Sequence, residues 1–393
     1  MLKIKSLSVE DIGGISKAQI KFHPSMNVIC GPNGVGKTTI LDIIVHMSTI
    51  INARRLKRRA GSLKGLASAV FMSSESEVTE TINVSHFDPV GKEHYQSKRV
   101  SASDILYLRN IRLFDWEKLT SISSDPQLNP NQIGQRYSEG IPNADAKNWF
   151  VNRYLYSAHK GALTPTQLEN FAVARKAFAV LDTETQFDHV EASTNEVMVR
   201  TPKGLIPYEY LSSGFKTCVT IFWGLIKEIE YSRSKGEDGA ASFDGIILID
   251  ELELHLHPVW QSKILQSLKS IFPKAQFIVT THSPHIVQSA DCGEVMPLEA
   301  DERGNTQVRD VPQLKHGMAM WTIEEVLEDI MGMKDTRTEV FNGLMKNFER
   351  AILSSNEAEA RKIFEHLQGS LHPRSAINKI LALQIASIRG SDD

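Results

Sequence analysis

Apolar and polar residues alternate through "LKIKSLSVEDI" (Leu2 to Ile12) and again through "ISKAQIKF" (Ile15 to Phe22). That period of two predicts a pair of half-buried antiparallel strands. The pattern then shifts. "MNVIC" forms a short buried strand, a glycine-rich turn follows, and from Lys37 the apolar residues recur near 3.6 spacing, as on a helix. Much further along, "TCVTIFWGLIKEIEYSRS" predicts a helix buried around most of its circumference, and "GIILIDELELHLHP" a fully buried strand ending in carboxylates. "PVWQSKILQSLKSIF" starts a helix with proline in its first turn, and "AQFIVTTHSP" is the next buried strand. Apolar strands alternating with helices predict an α/β fold with a largely parallel sheet covered on both faces.

The stretch between these blocks is less regular. "VTETINVSHF" predicts a strand, and "SASDILYLRNIRLFDWEKL" a mostly helical segment. Ser121 to Lys147 is rich in Ser, Asn, Pro and Gly, the composition of a mobile surface loop. Thr164-Pro165 opens a helix with a regular apolar stripe, and "EVMVRTPKGLIPYEY" predicts a hairpin turning at Lys203-Gly204. Beyond Thr322 the helical patterns are short. Phe341, Leu344, Phe348 and Ile352 share one face, as do Ile377, Leu381, Gln384 and Ile388. The expected organisation is a head built from residues 1–55 and 205–315, an inserted region over 56–204, and a helical appendage over 316–393. No sustained heptad predicts a coiled-coil arm.

Composition narrows the function classes. The 393 residues carry a net charge of −3, so nucleic-acid contact would need a local basic patch and not a global field. Cys30, Cys218 and Cys292 lack CxxC spacing, which suits a reducing compartment and disfavours a zinc site. The N-terminus lacks the apolar core of a secretory signal, and no apolar run approaches the roughly 20 residues of a membrane span. A cytoplasmic protein with no membrane contact is expected.

Gly31-Pro32-Asn33-Gly34-Val35-Gly36-Lys37-Thr38 fits G-x-x-x-x-G-K-[ST] in full and lies between a predicted strand and helix. In that setting the backbone N–H groups from Asn33 through Thr39 cradle β- and γ-phosphates, Lys37 neutralises charge, and the Thr38 hydroxyl ligates Mg2+. The run Ile246 to Ile249 delivers Asp250, suited to hold Mg2+, and Glu251, suited to polarise an attacking water. His282 ends the neighbouring strand, where it can touch a γ-phosphate. His255 and His257 have H-x-H spacing without an apparent third ligand, so packing in a loop is preferred to metal binding. Arg54, Arg55, Lys57, Arg58, Arg59 and Lys64 place six cations in eleven residues. They suit sequence-blind contact with a DNA backbone, and equally a solvated helix face or salt bridges to another subunit. Arg109 and Arg112 are weaker candidates for the same contact.

The order of phosphate loop, "LSSG" (Leu211 to Gly214), "ILIDELELHLHP" and "TTHSP" resembles the ABC-type ATPase head, in the branch of RecF, SMC and OLD proteins. The resemblance covers residues 1–55 and about 205–300. It implies a mixed sheet with an antiparallel subdomain, ATP and Mg2+ as ligands, and a head-to-head homodimer. Ser212 and Gly214 of one copy would then complete the site formed by Lys37, Thr38, Asp250, Glu251 and His282 of the other. OLD nucleases add a Toprim domain with a D-x-D pair, and none follows His282, so no nuclease site of that type is expected. The tail containing "LEDIMG" is similar to that of the PtuA family of the Septu antiphage system, also found with some retrons. That similarity implies an HNH nuclease partner, oligomers of dimers, and in some settings a retron reverse-transcriptase complex. Ser213 stands where transporters have glycine, and Phe215 where they have glutamine. The rival readings are a RecF-like or SMC-like repair ATPase without a nuclease, a transporter subunit, and an ATP sensor with little turnover.

Overall fold

The computed structural model describes residues 2–48, 56–73, 76–88, 100–110, 118–129, 132–133, 136, 140–141, 145–233, 239–302, 304–372 and 375–389. Contacts divide the chain into two compact units, 1–332 and 333–393.

In the first unit, β1 (Leu2–Ile12) pairs antiparallel with β2 (Ile15–Lys21) on one side and with β4 (Gly65–Ser73) on the other. Strand β5 (Glu77–Val84) pairs with β4, giving the order β2-β1-β4-β5. The central sheet uses β3 (Met26–Cys30), β6 (Ile105–Leu108), β10 (Ile246–Ile249), β11 (Gln276–Thr280), β12 (Val295–Ala300) and β13 (Thr306–Val308). Its order is β13-β12-β3-β11-β10-β6, parallel throughout except for β13. A third sheet joins β7 (Gln186–Val190), β8 (Val197–Thr201) and β9 (Gly204–Pro207), with Thr201 opposite Gly204 across the expected turn. The observed class is the expected one: α/β, with a mainly parallel sheet and an antiparallel subdomain.

Two apolar cores flank the central sheet, and the period-two alternation of its strands feeds both. Ile246, Leu248 and Ile278 join one core with Ile40, Leu41, Ile43 and Ile44 of α1 (Lys37–His46). Ile247, Ile249, Phe277 and Val279 join the other. That second core is closed by α2 (Ala146–Ser157), α3 (Pro165–Leu181), α4 (Ser213–Ser232), α5 (Pro258–Ile271) and the short α6 (Pro284–Gln288). Thr164 closes a capping box with Gln167 at the start of α3, as its sequence predicts.

Two expectations change. The segment 101–119, read as mostly helical, supplies strand β6 at the sheet edge, because the fully buried run Ile105 to Leu108 pairs with β10. Residues 111–117 of that segment lie outside the described ones. The loop expected over 121–147 yields at its end to α2, and much of its middle lies outside the described residues. Its first part is pinned: Asn148 Oδ1 accepts from the Ser123 N–H at 3.0 Å, and Asp125 receives Arg153 at 2.6 Å. Residues 56–204 supply β4 and β5 to the antiparallel sheet and β6 to the central one, and the first compact unit runs to Gly332. A short helical turn, Ile323–Glu325, runs into a π-helical turn, Val326–Ile330, and Val326 and Ile330 join the core of the first unit.

The second unit holds α7 (Glu339–Leu353), α8 (Glu357–Ser370) and α9 (Ala376–Arg389). Phe348, Ala351, Ala360, Ile363, Leu367, Leu381 and Ile385 form its core. On α9 the buried stripe runs through Leu381 and Ile385, and Gln384 is exposed. No helix among the described residues is long and apolar enough to cross a membrane.

Candidate functional site

The loop between β3 and α1 is shaped by glycine. Gly36 has φ +104 as the residue preceding α1, and a Cβ there would stand 2.5 Å from Ile15 Cγ1. Any larger residue at this position would be strained in its backbone and would strike the start of β2. The Val35 side chain is buried, and its carbonyl accepts from Thr306 Oγ1 at 3.1 Å, so β13 braces the loop from behind. Asn33 and Gly34 are exposed, and Thr39 faces Gly13 in the turn between β1 and β2. Lys37 folds back over the loop, its Nζ donating to the carbonyls of Gly31 and Pro32 at 2.8 Å each. Burial lowers the Lys37 pKa from its ordinary value, opposed by Cys30, Glu253, Asp250 and Glu251. Burial also pushes the neighbouring Cys30 thiol up to about 12, so it remains a neutral core group.

Strand β10 ends at Ile249 and places Asp250, 1% exposed, at the carboxyl edge of the sheet. Its Oδ1 accepts from Thr38 Oγ1 at 3.0 Å and from Thr280 Oγ1 at 2.7 Å. The Thr280 oxygen in turn accepts from the Glu251 N–H at 2.8 Å. Glu251 takes φ 47, a left-handed conformation uncommon for a non-glycine residue, which turns the chain abruptly off the strand end. Its Oε1 accepts from Asn110 Nδ2 at 3.3 Å. Asn110 follows β6, and nothing in its local sequence marks it. What would reveal it is that β6 lies beside β10, a fact of topology.

His282 lies just beyond β11, the strand between β3 and β10, with its side chain exposed. Lys37, Thr38, Asp250, Glu251 and His282 therefore come from three neighbouring strand ends on one edge of the sheet, as their spacing implied. The donor set suits a hard divalent cation bound beside phosphates: one hydroxyl and one carboxylate in contact, with an ammonium and the start of α1 adjacent. His257 accepts from the Val259 N–H at 3.4 Å and so caps α5, in keeping with a packing role.

The "LSSG" element opens α4. Ser212 accepts from the Phe215 N–H at 3.4 Å as N-cap, and both serines are exposed. Gly214 has a packing role within the chain. A Cβ there would lie 2.4 Å from Trp260 Cδ1 and 3.2 Å from the His257 nitrogen, so within the chain the glycine admits α5 against α4. Phe215 is buried, its ring 5.0 Å from that of Trp260 and 6.2 Å from that of Phe178. This packing accounts for an aromatic where transporters have glutamine.

Of the six cations between 54 and 64, Arg54 and Arg55 lie outside the described residues. The described remainder is not helical and runs beside the turn between β1 and β2. The Lys57 carbonyl accepts from the Gly13 N–H at 2.8 Å, and the Arg59 N–H donates to the Asp11 carbonyl at 2.8 Å. Arg58 is occupied internally: it donates to the carbonyls of Ser85 and Ser62 and lies over the Phe87 ring. Lys64 is exposed. The Arg109 side chain packs against Gly140, and Arg112 lies outside the described residues.

Comparison with known proteins places this site in a family. Residues 26–288 match the family described as AAA domain, putative AbiEii toxin, Type IV TA system. The chain is 38% identical over 390 residues to the Septu protein PtuA of Bacillus thuringiensis, covering 98% of each. It is 26% identical to the Septu protein PtuA of Bacillus mycoides (strain KBAB4), covering 97% of this chain and 52% of that one, so it spans about half of that relative. A shorter match, 30% identical over 38% of this chain and 27% of the other, joins it to the Retron Ec83 probable ATPase of Escherichia coli. The shared length and identity show that this chain belongs to the Septu PtuA family and carries its AAA-type ATPase domain.

Proposed function

We propose that this chain is a Mg2+-dependent ATPase of antiphage defence whose nucleotide state controls a separately encoded HNH nuclease. The observation that carries the ATPase reading is the 3.0 Å contact between the Thr38 hydroxyl and the Asp250 carboxylate, which joins the two halves of a metal–phosphate site. ATP seats its phosphates on the N–H groups of Asn33 to Thr39, and Lys37 exchanges its two carbonyl partners for phosphate oxygens. Thr38 and Asp250 would hold Mg2+, which would supply positive charge beside the phosphates. Glu251, steadied by Asn110, takes a proton from water as the water oxygen bonds to the γ-phosphorus. The bond from that phosphorus to the bridging oxygen breaks, and ADP leaves with the electron pair. His282 donates to the γ-phosphate.

Ser212 of a second copy, exposed at the start of α4, reaches the same phosphate across a head-to-head dimer. Dimers assemble into a larger oligomer that carries the nuclease. Family membership supports that assignment, and the match to a retron ATPase supports a reverse-transcriptase complex as a partner in some settings. DNA contact, where it occurs, uses Lys57, Arg59 and Lys64 with Arg54 and Arg55. The test is nucleotide titration of the purified chain together with co-purification from its native operon. Mg·ATP binding that is lost in Lys37→Ala, and recovery of an HNH protein, are expected. A chain that binds ATP equally well without Lys37, or that recovers no nuclease, contradicts the corresponding half of the proposal.

A further inference from the structure

The Glu253 carboxylate sits between the two loops that leave β10 and β11. Its Oε1 accepts from the His282 N–H at 2.6 Å, and its Oε2 accepts from the Thr281 hydroxyl at 2.7 Å. Both bonds are short, as expected for a charged acceptor. A second tie lies alongside. Ser283 Oγ donates to Gln261 Oε1 at 2.6 Å, and Gln261 Nε2 donates to the Leu256 carbonyl at 2.7 Å. The segment 281–283 is thus fastened to the loop 251–257 at both ends, while the His282 side chain is exposed. An exposed histidine in a loop ordinarily samples several rotamers about a mobile backbone. Here the backbone beneath it is held by the Glu253 carboxylate.

We propose that Glu253 is a positioning residue that fixes His282 for the γ-phosphate, and so sets the preference of the site for ATP over ADP. This rests on the nucleotide reading above. Glu253 need not touch the nucleotide. It holds the His282 N–H in place, and the loop that carries Glu251 moves with it. A γ-phosphate bound at His282 is thereby felt at the catalytic carboxylate two residues before Glu253.

The test is the ratio of ATP to ADP affinity in the presence of Mg2+, measured by titration calorimetry on the full chain. The wild type, Glu253→Ala, Glu253→Gln, His282→Ala and the double variant Glu253→Ala/His282→Ala are compared. Glu253→Ala is expected to lower the preference about tenfold with ADP affinity little changed, the scale of one charge-assisted hydrogen bond. Glu253→Gln retains an acceptor for the His282 N–H and is expected to recover most of the preference. In the His282→Ala background, Glu253→Ala should have no further effect, because the two act through one contact. Additive effects overturn the proposal, as does a Glu253→Ala chain that keeps the wild-type preference. Equal loss of ATP and ADP affinity in both Glu253 variants also overturns it, by assigning Glu253 to general folding. A wild-type chain that binds no Mg·ATP overturns the nucleotide reading, and the positioning role with it.

Discussion

Thr38 Oγ1 stands 3.0 Å from Asp250 Oδ1 and 3.2 Å from Oδ2, although 212 positions separate them in the chain. A hydroxyl at the start of α1 and a carboxylate at the end of β10 meet only because both belong to one edge of the central sheet. In the proposed site both would hold the cation and not the phosphates. Thr38→Ala and Asp250→Asn are expected to weaken Mg2+ binding in the ATP complex about 10- to 100-fold, the range seen when a ligand or its support is removed. Binding of metal-free ATP should change little. Titration with Mg2+ at fixed ATP checks both outcomes.

Gly214 meets the Trp260 ring so closely that a methyl group cannot be added without moving it. Gly214→Ala is expected to destabilise the first unit by about 1–3 kcal/mol, the usual cost of overpacking. Trp260→Leu in the same chain should recover part of that loss. Denaturant unfolding of the single and double variants reads the coupling.

Glu228 is 1% exposed, beside Lys227 at 3.2 Å and Arg136 at 3.4 Å. Burial raises its pKa above the ordinary 4.5, against the pull of those two cations. A carboxyl whose folded pKa is raised contributes stability below its unfolded pKa and loses it as pH rises through the folded value. Glu228→Gln removes that titration. The stability of the variant relative to wild type should therefore increase as pH rises from 4.5, with a constant offset below. Unfolding measured at a series of pH values checks the sign.

The basic segment divides by what each side chain already does. Arg58 is engaged with two carbonyls and the Phe87 ring, so Arg58→Ala is expected to lower stability. Lys64 is exposed, and Lys64→Glu should leave stability unchanged while weakening DNA binding. The salt slope of that binding should fall by about one per lost phosphate contact. Equal behaviour of the two variants in DNA titration would place the DNA contact elsewhere.

The sequence discloses those parts of the site that are local. The spacing from Gly31 to Thr38, the apolar run ahead of Asp250 and the threonines ahead of His282 each form one strand and its exit. What it conceals depends on neighbours distant in the chain. Asn110 reaches Glu251 only because β6 pairs with β10, and the four-residue run Ile105 to Leu108 carries no period to distinguish strand from helix. Gly214 is explained by Trp260, 46 residues further along the sequence. Glu253 follows Asp250-Glu251 closely enough to pass as one more solvated carboxylate, until His282 is found on it.

In the proposed reaction Glu251 activates water at a site able to bind ATP without it. Phosphate release and ATP affinity should therefore be measured side by side for the wild type and Glu251→Gln, with Mg2+ present. We expect the variant to bind Mg·ATP within about threefold of wild type while phosphate release falls about 100-fold or more, the scale of a lost general base. Wild-type release by Glu251→Gln, or loss of ATP binding in step with turnover, would rule out Glu251 as the general base.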